Sequence, residues 1–91
     1  MMHGLMCDMN FWLANDAEIA PPFILVDQGY DVWLGNNRGN RFAQAHLTLN
    51  KDEQAFWETN YIDMGTYDTP AFIDFILEKT NQSKLTYIGH S

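Results

Sequence analysis

The stretch Leu85-Thr86-Tyr87-Ile88-Gly89-His90-Ser91 decides how this chain is read. Residues 85–88 are nearly all apolar and predict a β-strand covered on both faces. The run leads straight into Gly-x-Ser, the first half of the Gly-x-Ser-x-Gly elbow. In that motif a serine sits on a sharp strand-to-helix turn with its hydroxyl pushed out of the sheet. Glycines flank the serine because the turn leaves no room for Cβ atoms. The closing x-Gly and the helix behind it do not follow here, so the meaning of the triplet depends on the residues upstream.

Immediately before that strand, residues 68–80 predict the best helix of the chain. Asp68 is a suitable N-cap and Pro70 lies in the first turn. Phe72, Phe75, Ile76 and Lys79 fall at i, i+3, i+4 and i+7, and Ile73 and Leu77 widen the apolar face. Residues 62–67 add a turn ahead of it, kinked at Pro70. Asn81-Gln82-Ser83 is a loop. Further upstream, residues 21–29 predict a short helix with prolines in its first turn and Gly29 closing it. Residues 30–34, Tyr-Asp-Val-Trp-Leu, predict a strand ended by Gly35-Asn36. Residues 36–51 form a long polar connection with a helical turn expected near 41–46. Strands alternating with helices specify an α/β chain with a parallel sheet. Sites in such sheets lie beyond the carboxyl ends of the strands. Gly35-Asn36-Asn37-Arg38 and Gly89-His90-Ser91 occupy such ends, as does His3-Gly4-Leu5 where a strand precedes it.

Composition bounds the function. Ninety-one residues make at most one small domain. A chain of this length buries only about 60–65% of its unfolded surface. Yet 46% of the residues are hydrophobic and 14% aromatic, a content typical of the interior of a larger domain. The net charge of −7, from 12 acidic and 5 basic residues, argues against a nucleic-acid partner, which needs clustered Lys and Arg. No apolar stretch approaches the roughly 20 residues that span a bilayer. Met1-Met2-His3-Gly4 lacks the basic end and apolar core of a signal peptide. The single cysteine, Cys7, excludes an internal disulfide and reads first as a small buried hydrophobe.

His3-Gly4-Leu5 resembles an oxyanion-hole loop, since acyl transfer needs backbone N–H donors aimed at the developing oxyanion. His3, His46 and His90 lack the spacing of metal ligands, and no cysteine cluster accompanies them. The reading calls for no metal and no cofactor. His90 directly precedes Ser91 and is badly aimed to serve as its base. Neither His3 nor His46 is a good candidate for that role. Asp52, Glu53 and Glu58 read as solvated surface, and Asp63, Asp68, Asp74 and Glu78 as solvated or capping groups. Arg38 lies in a loop beyond a strand end. It reads first as ordering that loop through carbonyls or a carboxylate, and second as a substrate contact. Asn81-Gln82-Ser83 matches an N-glycosylation acceptor. Phe11, Trp12, Trp33, Phe56 and Trp57 could line an acyl pocket, with core packing the simpler role for Trp33.

Together these words resemble one family, the acid lipases, which include gastric and lysosomal acid lipase. The resemblance rests on His3-Gly4-Leu5; on Gly29-Tyr30-Asp31-Val32-Trp33-Leu34-Gly35-Asn36 with Arg38-Gly39-Asn40; on Phe56-Trp57; on Tyr67-Asp68-x-Pro70-Ala71 with Ile73-Asp74-Phe75-Ile76; and on Gly89-His90-Ser91. It runs over essentially all 91 residues. It departs from the family's pattern at Met6-Cys7-Asp8 and at Glu58-Thr59-Asn60. It implies an incomplete piece of an α/β-hydrolase fold, a partial lipase domain over residues 1–91 from the His-Gly loop to the elbow. It implies Ser91 as catalytic nucleophile, the backbone N–H of Leu5 as one oxyanion donor, and neutral lipid esters as substrates, met at a lipid–water interface. A secreted or lysosomal location is implied in the same way. The triad acid and base, the second oxyanion donor and the cap would all follow Ser91. The segment on its own is therefore expected to be inactive, its alternatives being a non-catalytic remnant or a small α/β binding module using Gly35–Gly39 as an anion loop. The resemblance also implies that residues 30–34 and 85–88 are not neighbours but flank a strand reduced to Met1-Met2. A minimal sheet is the expected result.

Overall fold

A computed structural model describes residues 1–91 as two compact units, Met1–Asn36 with Tyr87–Ser91, and Asn37–Thr86.

In the first unit, Met2 forms parallel bridges with Gly35 and with Gly89. Met2 N–H donates to the Ile88 carbonyl at 2.8 Å, and His90 N–H donates to the Met2 carbonyl at 3.1 Å. On the other side, Gly35 N–H donates to the Met1 carbonyl at 3.0 Å. Met2 thus lies between the two segments, the order that the resemblance implies. The strands expected over 30–34 and 85–88 do not form as strands. One residue pairs with both, so neither bridge extends into a ladder, and each segment keeps only its pairing at Gly35 or Gly89.

Helix α1, Pro21–Asp27, starts without a side-chain cap. Pro21 and Pro22 make one unnecessary, since proline has no N–H to orphan and its φ is already helical. The helix ends in a Schellman motif: Gly29 N–H donates to the Val26 carbonyl at 2.9 Å and Tyr30 N–H to that of Leu25 at 3.0 Å. Gly29 supplies the left-handed residue, with φ +91°. A 3-10 helix over Met9–Leu13 contacts α1.

In the second unit, Tyr61–Asp63 (α2) runs through a π-turn, Met64–Asp68, into Thr69–Thr80 (α3). The N-cap is Asn60 and not Asp68. Asn60 Oδ1 accepts from Ile62 N–H at 2.8 Å and Asp63 N–H at 3.3 Å, and Asp63 reaches back to Asn60 N–H at 3.0 Å, a capping box. Asp68 lies inside the helical path, where its own backbone has helical φ and ψ. The kink expected at Pro70 is realised as the π-turn ahead of it, because proline cannot donate into the ladder and its ring crowds the preceding carbonyl. Along α3, Phe72, Ile73, Ile76 and Leu77 are half-buried. Phe75 lies on the open side with Lys79 Nζ 5.5 Å from its ring centre. Asn81 closes the helix in the left-handed region, φ +51°, which asparagine tolerates.

The Asp68 carboxylate is taken by Arg38. Nε and Nη2 donate to it at 3.0 and 2.7 Å, and Arg38 N–H adds a bond at 3.1 Å. Arg38 therefore orders its loop through a carboxylate, and this hydrogen bonding raises its pKa further. No helical turn forms over 41–46. Asn40 instead makes a tight turn, its carbonyl accepting from Ala43 N–H at 2.9 Å and its Oδ1 from Phe42 N–H at 3.0 Å. A 3-10 helix over Gln54–Trp57 follows, with Trp57 Nε1 donating to the Lys51 carbonyl at 2.7 Å.

Only Met2, His3, Gly4, Ala20 and Pro22 are buried, and none of them belongs to Asn37–Thr86. Such sparse burial does not offset the entropy of ordering a chain. Residues 1–91 expressed alone are expected to give broad amide NMR signals and no cooperative thermal transition. A sharp transition from a monomer would contradict this and favour the binding-module reading.

Candidate active site

Because Met2 and Gly89 pair in parallel, the residues after each leave the pairing on the same side. This brings His3-Gly4-Leu5 beside His90-Ser91, within the first unit. The approach is close: a Cβ built on Gly4 would lie 2.9 Å from Ser91 Cβ, 2.8 Å from His90 Nδ1 and 3.2 Å from the His90 carbonyl oxygen. Real Cβ atoms do not come so near, so position 4 requires glycine for space. Ser91 has φ +62°, the left-handed conformation expected of a residue on a sharp elbow.

The Gly4-Leu5 peptide is fixed from one side. The buried His3 ring bonds the Gly4 carbonyl through Nδ1 at 2.8 Å. A carbonyl only accepts, so Nδ1 carries the proton. The same carbonyl accepts from Cys7 N–H at 3.2 Å, closing a turn whose third residue, Met6, has φ +60°. A trans peptide is planar, so Leu5 N–H points opposite to the held carbonyl. That N–H bonds no acceptor of the protein. Leu5 and Met6 are 74% and 96% exposed, an apolar pair at the tip of the turn. Cys7 is a half-buried free thiol.

Beyond the turn, Asp8 caps the 3-10 helix by accepting from Asn10 N–H at 2.8 Å, and Asn36 Oδ1 accepts from Met9 N–H at 3.0 Å. The helix carries Phe11 and Trp12 to His90. Phe11 stacks on the imidazole with ring centres 4.4 Å apart, and Trp12 meets it edge-on at 6.5 Å. Trp12 Nε1 is buried without a hydrogen-bond partner. His90 makes no hydrogen bond to Ser91, in keeping with its poor aim as a base. His46, in the other unit, accepts the N–H groups of Thr48 and Leu49 through Nδ1 at 3.1 and 3.0 Å. No group of three or more His, Cys, Asp or Glu could hold a metal ion. Of the residues singled out in the sequence, the His3-Gly4-Leu5 turn lies against Ser91, with Gly4 at the contact. The sequence reading missed the partnership of Phe11 and Trp12 with His90, which has no spacing signature. It also missed the Asp8 cap, which an Asp ahead of a short apolar run could have signalled.

A parallel pairing that ends in Gly-His-Ser, with a His-Gly turn packed against the serine, is the arrangement of the α/β-hydrolase class. The chain belongs to the alpha/beta hydrolase fold family, whose sequence pattern matches residues 1–91. Its similarity to the acid lipases extends over the whole chain. Lipase member N of Mus musculus is 50% identical over 91 residues, all of this chain and 23% of that protein. Gastric triacylglycerol lipase of Bos taurus is 47% identical, and lysosomal acid lipase/cholesteryl ester hydrolase of Homo sapiens 46% identical, each over the same coverage. The chain thus spans about a quarter of the length of the curated relatives it matches.

Gly4→Ala isolates the close approach. In a protein extended to the relatives' length, the added methyl would push the turn away from Ser91, and a displacement near 1 Å costs about 100-fold in rate. Were Ser91 the nucleophile, hydrolysis of a short-chain ester would fall by about that factor with the circular-dichroism spectrum unchanged. A variant keeping half the parent rate would show that the contact is dispensable.

Proposed function

We propose that residues 1–91 supply the nucleophile and half the oxyanion hole of a serine lipase acting on neutral lipid esters. The observation that carries the reading is the contact of Gly4 with Ser91. It sets an elbow serine at φ +62° beside a peptide whose Leu5 N–H is free and whose carbonyl is held. In this reading Ser91 Oγ attacks the ester carbonyl carbon. Its proton passes to a histidine from a later part of the protein, and the Leu5 N–H bonds the oxygen on which charge develops. Collapse expels the alcohol, which takes up that proton. Water then releases the fatty acid from the acyl-serine by the same steps.

The exposed Leu5-Met6 pair suits an apolar acyl chain more than a charged substrate, and no helix of the chain is long and apolar enough to cross a membrane. The names of two relatives, a triacylglycerol lipase and a cholesteryl ester hydrolase, support neutral lipid esters as the substrate class. An anion-binding loop at Gly35–Gly39 is less well supported, because the Arg38 guanidinium is committed to Asp68.

Two experiments test the proposal. In the extended protein, Ser91→Ala is expected to lower kcat on a short-chain ester by several orders of magnitude with folding retained; retention of more than about a tenth of the rate would sink the assignment. Residues 1–91 alone should neither turn over a chromogenic ester nor react with a serine-directed phosphonate, since the His90 ring is held against Phe11 and the His3 Nδ1 by Gly4. Stoichiometric labelling of that short chain at Ser91 would mean that it assembles a base of its own.

A further inference from the structure

The residue between Gly89 and Ser91 is free to vary in a Gly-x-Ser motif, yet here its side chain, though partly open to solvent, is met by Phe11, Trp12 and Gly4. The His90 ring stacks on Phe11 with an interplanar angle of 24° and a centre distance of 4.4 Å, and the edge of Trp12 closes on it at 85°. Its Nδ1 packs against Gly4, so tightly that a Cβ there would come within 2.8 Å. The ring has no hydrogen bond to Ser91 through which it could move a proton.

We propose that His90 is a positioning residue, whose ring, held between Phe11 and Gly4, fixes the distance and orientation of Ser91 relative to the Leu5 N–H. The proposal rests on the reading of Ser91 as nucleophile. The left-handed backbone at Ser91 persists only where its surroundings over-determine it. The bond from His90 N–H to the Met2 carbonyl anchors the chain at one point and leaves the peptide that follows free to rotate. The ring is the second anchor. Its support is itself anchored, because Phe11 stands on a 3-10 helix capped by Asp8 and tied at Met9 to Asn36. The Gly-x-Ser turn and the Gly4-Leu5 turn are thereby held against one side chain that belongs to neither the nucleophile nor the oxyanion donor.

The test uses the extended protein. His90→Ala and Phe11→Ala are each expected to lower kcat about 10- to 100-fold, with KM within about twofold, the signature of a misplaced attacking group. The double variant should be no slower than the slower single one, because both remove the same stack. His90→Phe, which keeps a planar ring, should recover kcat to within about threefold of the parent. All rates are taken per serine labelled at completion by a phosphonate, so that misfolded protein is not counted, and the labelled peptide is identified by mass spectrometry. Phe11→Ala, which leaves the elbow sequence intact, carries the test should His90→Ala fail to fold. Full activity per labelled serine in Phe11→Ala, strictly multiplicative losses in the double variant, or no recovery in His90→Phe would each overturn the proposal. Labelling at a residue other than Ser91 would instead overturn the reading of the nucleophile beneath it.

Discussion

The two-sided pairing of Met2 is the constraint on which the site depends. A single residue takes the Ile88 carbonyl on one flank while its neighbour Met1 takes Gly35 on the other. Parallel pairing then fixes direction as well as proximity, so the His-Gly turn and the Gly-His-Ser turn emerge side by side. That pairing sets the approach of Gly4 to Ser91 before any side chain acts on it. The aromatic contacts of Phe11 and Trp12 act on a geometry that the backbone has already set. Three kinds of interaction are layered at one point: backbone hydrogen bonds at Met2, close packing at Gly4, and ring stacking at His90.

The Gly4-Leu5 peptide shows how a donor is aimed without being touched. His3 and Cys7 both hold the carbonyl, and the planarity of the amide carries that orientation to the opposite N–H. The N–H stays unpaired while the carbonyl of the same peptide is pinned. The Met6 backbone, in a conformation unfavourable for a side chain of its size, is a local cost of this turn.

Local signals were the most legible part of the sequence. Gly29 marked a helix end and a left-handed residue because its role is settled within six residues of chain. The apolar stripe of the long helix was legible for Phe72, Ile73, Ile76 and Leu77, but Phe75 is half exposed, with Lys79 near its ring. Asp68 misled, because an aspartate ahead of a proline looks like a cap whether or not an arginine elsewhere claims it. Asn60 met the same need eight positions earlier, with Asp63 completing the box. The two strand segments carried the right composition, but a ladder needs a partner of matching length, and composition along one segment says nothing of that. The approach of Gly4 to Ser91 joins residues far apart in sequence, and the spacing of motifs foretold only that they would meet, not that the gap would exclude a methyl group.

The left-handed backbone at position 91 also limits which hydroxyl the elbow can present. A β-branched side chain at φ +62° would press its second γ-substituent against its own backbone. Threonine carries the same functional group as serine, but the turn rejects it on steric grounds before any chemistry is compared. Cysteine, unbranched at Cβ, would fit. The geometry of the turn thus separates one alcohol from another by branching at Cβ alone.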